Sequence, residues 1–211
     1  MLRVGVLVSG GGTNLQAILD AIDSGALQNT SIECVISSRP DAYALERAKS
    51  HHIATGCLRR RDFESQQAYD TALVDKLRQY GVELVVLAGF MTIIGETVVR
   101  AFPNRIINVH PALIPSFCGK GFYGLHVHEE ALRYGVKVTG ATVHVVNEVV
   151  DGGPIIAQRA VEIREDDTPE TLQKRVMEQA EWQLLPQVIG YFAQGRIEFD
   201  GRHAHILPEK G

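Results

Sequence analysis

The sequence predicts an α/β fold, an open and mostly parallel twisted sheet flanked by helices, with an antiparallel strand extension in its C-terminal half. Two observations predict it. In the first half, short β-branched runs alternate with amphipathic segments that begin or end at Gly, Pro, Ser or Asp, the pattern of a parallel sheet. In the second half, two long strand candidates follow one another, and such neighbours can pair antiparallel.

The elements follow in a regular order. The strands are expected at 4–8, 32–36, 53–58, 84–87 and 106–109, and the helices between them at 14–22, 42–50, 65–80 and 95–102. Right-handed crossovers would join the strands into a Rossmann-like sheet. Beyond residue 110 we expect a short helix near 129–134, strands at 137–146 and 154–163, and a long helix that begins after Thr168 and Pro169.

The composition is ordinary for a globular enzyme, and it indicates that the ligands are small molecules. The 211 residues are 45% hydrophobic and 22% charged, which fits one domain with two functional halves, about 1–100 and about 101–211. A net charge of -4 without a long Lys/Arg run argues against a nucleic-acid or membrane-surface partner. Three scattered cysteines and a start without a signal-peptide pattern lead us to expect free thiols and a cytoplasmic location.

A donor amide and an imidazole come at the end of the fifth predicted strand. Asn108 and His110 are two residues apart, so a strand places both side chains on one face, and Pro111 then ends the ladder where open α/β sheets bind ligands. Further on, Asp151 opens a turn-forming Gly-Gly-Pro segment and can fold back to hold the imidazole. The three side chains predict an acyl-transfer site. The spacing alone equally allows a turn cap, a core histidine and an aspartate that only starts a turn.

A glycine-rich turn joins the first strand to the first helix. Gly10, Gly11 and Gly12 lead directly into a helix whose first turn offers free N–H groups and a positive dipole end, which suits a phosphate. The segment lacks the Gly-Lys-Ser/Thr of a Walker A loop, and Leu15 stands where a dinucleotide motif has its third glycine. A phosphomonoester is therefore the predicted ligand. The alternative is that the glycines only make a tight turn.

Five segments together resemble the phosphoribosylglycinamide formyltransferase family, folate-dependent enzymes of purine synthesis. They are VSGGGTNLQAI at 8–18, VLAGFM at 86–91, INVHPALIPSF at 107–117, VTGATVH at 138–144 and VDGGPII at 150–156. Other users of 10-formyltetrahydrofolate share the later segments, whereas the glycine loop joined to a helix is typical of the branch that acts on glycinamide ribonucleotide.

The resemblance implies that 10-formyltetrahydrofolate gives its formyl group to the amine of glycinamide ribonucleotide, without a metal. Asn108 and a protonated His110 would stabilise the oxyanion. Asp151 would orient His110 and raise its pKa, so that the imidazolium stays populated near neutral pH. The resemblance assigns the ribonucleotide's phosphate and amine to Gly11, Gly12, Thr13, Asn14 and Glu181. It assigns the folate to Met91, Thr92, Ile93, Ile94, Asn108, Asn147, Glu148, Val149, Val150 and Asp151.

Several points stay open at this stage. Gln66 and Thr92 occupy positions where some members of the family have arginine near the folate, so the contacts to the folate's glutamate tail are not assigned. The loop at 118–128 is expected to be a flap, and His144 to lie near the site in a structural role. His126 and His128 would suggest a metal site if they lay on a strand. A formyltetrahydrofolate hydrolase and a non-catalytic nucleotide-binding protein are the alternative functions, and a monomer and a homodimer are both compatible with the sequence.

Overall fold

The computed structural model describes residues 1–209, and it confirms the predicted α/β class. A parallel sheet with the strand order β3-β2-β1-β4-β5 forms the first half. Its strands are β1 (Leu2–Val8), β2 (Thr30–Ser37), β3 (Ala54–Cys57), β4 (Leu84–Leu87) and β5 (Ile106–His110). Its helices are α1 (Thr13–Asp23), α2 (Tyr43–Ser50), α3 (Gln66–Gln79) and α4 (Glu96–Ala101), with a 3₁₀ turn at Arg60–Asp62. Each element lies within a few residues of its predicted position.

The core of the first half is built on β1. This strand pairs in parallel with β2 on one side and β4 on the other, so that Val6 is in register with both Val35 and Val86. All three valines are buried. A strand covered on both faces by helices has no polar face, which explains why these runs read as continuous apolar stretches. The arrangement brings the carboxyl ends of β1 to β5 to one edge of the sheet, because the strands run in the same direction.

Two compact units divide the chain, one ending at Asn108 and the next beginning at Val109. The second contains α5 (Leu125–Tyr134), β6 (Val138–Val145) and β7 (Ile155–Glu162), and the two strands pair antiparallel as predicted. The register shifts by one residue between Val143 and His144. A hairpin of β8 (Ile197–Asp200) and β9 (His203–Ile206) follows, and the sequence did not predict it.

The structure contains the predicted C-terminal helix, but the helix is irregular. It comprises α6 (Pro169–Val176), a π-helical turn at Met177–Glu181, and α7 (Trp182–Ala193). Thr168 caps its start in a capping box with Thr171, and proline occupies the first turn, as the sequence predicts. The apolar positions Leu172, Val176, Ala180, Leu184 and Val188 are all buried. Their spacing of four exceeds the α-helical repeat, and the wider π turn in the middle keeps them on one face.

Within residues 1–209, no helix combines the length and the hydropathy that a membrane crossing requires.

Candidate active site

His110 is the last residue of β5 and is almost fully buried. Its Nε2 lies 2.8 Å from the Phe117 carbonyl oxygen, and its Nδ1 lies 3.6 Å from Asp151 Oδ2. A carbonyl oxygen only accepts hydrogen bonds, so Nε2 carries the proton in the neutral ring. Nδ1 then faces the Asp151 carboxylate, whose negative charge would stabilise a second proton on Nδ1. The predicted partnership of His110 with Asp151 is therefore present in the structure.

Asp151 reaches this position through a tight turn between β6 and β7. Its own φ is 54°, a left-handed conformation that non-glycine residues rarely adopt. Gly153 must be glycine, because a Cβ there would lie 1.9 Å from the Val145 carbonyl oxygen. Phe117, which bonds His110, has φ 48° and shares this conformation. Unusual backbone of this kind is typical of functional loops, where the surrounding structure holds it in place.

Each oxygen of the Asp151 carboxylate has a polar neighbour. Oδ2 accepts the backbone N–H of Gly119 at 2.9 Å, and Oδ1 lies 3.4 Å from His144 Nε2. The other nitrogen of His144, Nδ1, lies 2.9 Å from the Val145 carbonyl oxygen. His144 lies near the site, as the sequence predicts, and its structural role is to help hold the carboxylate that faces His110. Its position two residues after Thr142, on the strand that leads to Asp151, was the only signal available.

The pKa of His110 corrects one expectation. Burial lowers its pKa below the ordinary value of 6.5, and this outweighs the upward effects of the Asp151 charge and the Phe117 hydrogen bond; nearby His144 adds a lowering effect. The expectation that Asp151 keeps the imidazolium populated near neutral pH is thus wrong for the free protein, although Asp151 does act in the expected direction. The pKa of Asp151 is lowered from its ordinary value of 3.8. Burial acts to raise this pKa, but the hydrogen bond with His144, the charge of His110 and the Gly119 N–H together outweigh burial.

Thr142, which was not predicted as a site residue, fixes the chain just beyond His110. Its buried hydroxyl donates to the Ala112 carbonyl at 2.7 Å and accepts the Ile114 N–H at 3.1 Å. Gln158 donates to the same hydroxyl and to the Ile114 carbonyl, each at 3.0 Å. These bonds hold the segment that leads from β5 into the Phe117 loop. Asn108 lies two residues before His110 on β5 and is half-buried.

The glycine-rich turn lies at the carboxyl end of β1. Gly12 is the N-cap of α1, with φ 73° and no side-chain cap, so the N–H groups of the first turn are not satisfied by a capping side chain. A Cβ on Gly12 would lie 2.5 Å from the Ala44 Cβ, whereas Gly11 has nothing within 4 Å. Gly12 thus has a structural reason to be glycine, and Gly11 is open to a ligand. Arg47 donates to the Gly11 carbonyl at 2.8 Å and braces the turn.

The segments expected to bind folate are loops with exposed apolar side chains. In the loop at 91–94 after β4, Met91 and Ile93 are exposed, and the Met91 N–H donates to Ser9 Oγ at 2.8 Å. In the turn at 147–151, Val149 and Val150 are exposed. Exposed apolar loops beside polar groups are typical of ligand sites, and the assignment of the folate to these loops stays a prediction.

Glu181 is buried in the π turn at Met177–Glu181. Turns of this kind often mark functional positions in helices, because they displace one side chain from the regular repeat. The assignment of Glu181 to the ribonucleotide stays a prediction.

The predicted flap at 118–128 is shorter than expected, because α5 already begins at Leu125. His126 and His128 accordingly lie on a helix rather than a strand, and two residues apart on a helix they point to different sides. His126 is exposed beside Glu129, whereas His128 is fully buried and burial lowers its pKa to about 4. Among the residues described, no cluster of histidine, cysteine and acidic side chains could hold a metal ion.

Comparison with known proteins decides the family. The model of the formyl transferase family matches residues 2–189. The chain belongs to the formyl transferase family. It is 40% identical to the phosphoribosylglycinamide formyltransferase of Haemophilus influenzae, over 100% of this chain and 98% of that protein, and 38% identical to the Escherichia coli enzyme over the same shares.

Solved structures agree with the family. The fold is similar to that of glycinamide ribonucleotide transformylase 1 from Symbiobacterium toebii, with a TM-score of 0.92 and 45% identity over 99% of this chain and 95% of that one. It is also similar to the Coxiella burnetii phosphoribosylglycinamide formyltransferase, with a TM-score of 0.90 and 39% identity over 99% of this chain and 94% of that one. The chain is therefore an enzyme of the formyltransferase class, and the resemblance seen in the sequence is confirmed.

Proposed function

We propose that this chain transfers the formyl group of 10-formyltetrahydrofolate to the primary amine of 5'-phosphoribosylglycinamide, a step of purine synthesis. The observation that carries the proposal is a buried imidazole held between a carboxylate and a backbone carbonyl, two residues after an asparagine on the same strand. The named relatives over nearly their whole length support the same reaction.

The amine attacks the formyl carbon, and a tetrahedral intermediate forms with a negative oxygen. Asn108 donates a hydrogen bond to that oxygen, in a role that matters only as the charge develops. The bond from the formyl carbon to the folate nitrogen then breaks. The proton lost by the amine must reach this leaving nitrogen, so that formylglycinamide ribonucleotide and tetrahydrofolate are the products.

His110 moves that proton. Because burial lowers its pKa, the ring is mostly neutral near pH 7 and is ready to accept a proton rather than to provide one. Once protonated, the ring is stabilised by the Asp151 carboxylate, 3.6 Å from Nδ1. The imidazolium can then stabilise the oxyanion and pass its proton to the folate nitrogen. Asp151 positions the ring, and His144 and the Gly119 N–H position Asp151.

Both nitrogens of His110 face protein groups in the structure, so the substrate must replace one of them. The Phe117 carbonyl is the group to displace, because it belongs to a loop that contains Gly119, Gly121 and Gly124, all with positive φ. Such glycines permit large backbone changes at low cost. Substrate binding would release Nε2 from Phe117 and expose it to the reacting groups. With the ring proton then on Nδ1, beside Asp151, the unprotonated Nε2 would accept the proton of the amine.

The remaining assignments follow the same proposal. The glycine-rich turn, with Gly11, Gly12, Thr13 and Asn14, would bind the ribonucleotide phosphate at the uncapped start of α1. Glu181 would bind the ribonucleotide, and the loops at 91–94 and 147–151 the folate. The reaction needs no metal, and both ligands are small molecules. We place the enzyme in the cytoplasm, as a monomer or a homodimer.

A labelled-formyl experiment tests the function against its alternatives. Purified protein is mixed with 10-formyltetrahydrofolate that carries ¹³C in the formyl group, with and without the ribonucleotide, and the label is followed by NMR. We expect formylated ribonucleotide and no turnover without acceptor. Labelled formate in the absence of the ribonucleotide would indicate a hydrolase. Ligand binding without any label transfer would indicate a non-catalytic protein.

A further inference from the structure

A strongly basic cleft lies where β2 and β3 end, beside the glycine-rich turn of the neighbouring β1. Its volume is about 520 Å³, and its lining consists of Ser38, Arg39, Pro40, Asp41, Arg59, Arg60 and Arg61. Four arginines and one aspartate line this cleft although the chain as a whole has a net charge of -4. The concentration of positive charge at one place suggests an anionic ligand.

The protein neutralises only half of these arginines. Arg39 pairs with Asp41 at 2.8 Å, and Arg59 pairs with Asp62 at 2.6 Å. Within residues 1–209, no carboxylate pairs with Arg60 or Arg61. Two neighbouring guanidinium groups are therefore available, and guanidinium groups bind carboxylates in a bidentate, directional way.

Arg60 is held in place rather than free in solvent. Its Nε donates to Gln66 Oε1 and its Nη1 to the Phe63 carbonyl, both at 2.9 Å. Gln66 in turn donates to the Ile93 carbonyl at 3.2 Å. Arg60 is thus connected by two hydrogen bonds to the loop at 91–94, which the proposed function assigns to folate. Nη2 takes no part in these bonds and remains for a ligand.

We propose that this cleft, the Arg59–Arg61 cleft, binds the glutamate carboxylates of the folate co-substrate. The inference rests on the proposed function, because it takes the loop at 91–94 as a folate contact. A folate ends in a glutamate, and γ-linked glutamates added to it carry one more carboxylate each. Such a chain of carboxylates matches several arginines spread along a cleft. A single phosphate does not need several arginines spread along a cleft. The glycine-rich turn, where Gly11 has open space beside it, is the separate site that the proposed function gives to the phosphate.

Binding of the product, tetrahydrofolate, tests this without turnover. Calorimetry compares the monoglutamate with the pentaglutamate in the unaltered protein, in Arg60→Gln, in Arg61→Gln and in the double variant. Arg78→Gln is the matched control, because Arg78 is exposed near the C-terminal end of α3 and does not line the cleft. We expect about a 10-fold preference for the pentaglutamate, since each exposed ion pair gives about 2- to 5-fold.

The ratio of the two affinities is the readout, because a general loss of folding or activity does not change it. It should fall by about 2- to 5-fold in each single variant, approach 1 in the double variant and stay unchanged in the control. Arg61 makes no described side-chain bond, so Arg61→Gln tests the proposal even if Arg60→Gln disturbs the loop. Added salt should lower the ratio as well, because exposed ion pairs are screened.

Three results would overturn the proposal. One is an unaltered protein that gains nothing from the four added glutamates, and another is a double variant that keeps the full preference. The third is competition by inorganic phosphate or by the ribonucleotide that removes the preference, which would assign the cleft to the other substrate. Failure of the proposed function is distinguishable, because formyl transfer would then be absent while the preference for pentaglutamate stays measurable.

Discussion

Replacing Asp151 with asparagine keeps the size of the side chain and removes its charge. In the native site, one carboxylate oxygen faces His144 Nε2 and the other accepts the Gly119 N–H while it faces His110 Nδ1. Asparagine has one oxygen and one NH₂ group, so a donor must face either His144 or Gly119. The variant therefore loses at least one charge-assisted hydrogen bond.

The loss of this hydrogen bond sets the expected fall in kcat/KM. A hydrogen bond to a charged group contributes about 1.5–3 kcal/mol, and each 1.36 kcal/mol in a barrier is tenfold in rate. We expect kcat/KM of Asp151→Asn to fall by about 10- to 100-fold. The pH profile should also change. Asp151 raises the pKa of His110 against the larger effect of burial, so without its charge the pKa of His110 drops further. The rise of kcat/KM through this pKa should then move to lower pH.

Steady-state kinetics across pH, together with an NMR titration of the His110 imidazole, measure both effects. Asp166→Asn is the matched control, because Asp166 is an exposed aspartate in the same half of the chain. It should leave the rate and the titration unchanged. A His110 titration that stays in place, or moves to higher pH, in Asp151→Asn would refute the reasoning.

Three further predictions concern other parts of the chain. Asn108→Ala should lower kcat by about 10²- to 10³-fold with little change in ribonucleotide affinity, and near-normal turnover in steady-state assays would remove Asn108 from the mechanism. Gly11→Ala should be as stable as the unaltered protein in urea titrations but should raise KM for the ribonucleotide alone. Gly12→Ala should instead destabilise the protein, because Gly12 has a positive φ and packs closely against Ala44. Equal effects on the KM of both substrates in a folded Gly11→Ala protein would contradict the phosphate assignment. Asp167 has its pKa lowered from 3.8 to about 2, chiefly by its hydrogen bond from an arginine, so its stabilising effect is complete above about pH 4 and disappears as pH falls through 2. Urea midpoints should decrease over that range, and Asp167→Asn should lose this part of the pH dependence; an identical pH dependence in the variant would contradict the assignment.

Much of the fold follows from hydrophobic patterning. The strands of the parallel sheet are continuous apolar runs, and the helices between them have clear start and stop residues, so their positions could be predicted. The hairpin of β8 and β9 could not, because its four-residue strands are partly exposed and contain Asp, Glu and His. The early start of α5 was missed for a related reason, since its N-cap is Gly124 without a capping side chain.

The sequence predicted the approach of Asp151 to His110, and it did not predict the electrostatics of the pair. That Asn108 and His110 share one face of β5, and that Asn108 takes part in the reaction, stay predictions from the alternation of side chains along a strand. The sequence could not show how deeply His110 is buried, and burial decides the direction in which its pKa shifts. The bond from Phe117 to His110 depends on a loop conformation that no local pattern encodes. The sequence position of Arg60 likewise gave no sign of its bond to Gln66.

The central claim is that His110 moves the proton during formyl transfer, and a single-turnover experiment tests it most directly. Excess enzyme, unaltered or His110→Ala, is mixed with the ribonucleotide and ¹³C-formyl tetrahydrofolate, then quenched at intervals, and ribonucleotide binding is measured separately. The account predicts a chemical step slowed by at least about 10²-fold in the variant, with ribonucleotide affinity retained. An unchanged rate of label transfer in a folded His110→Ala protein would contradict it.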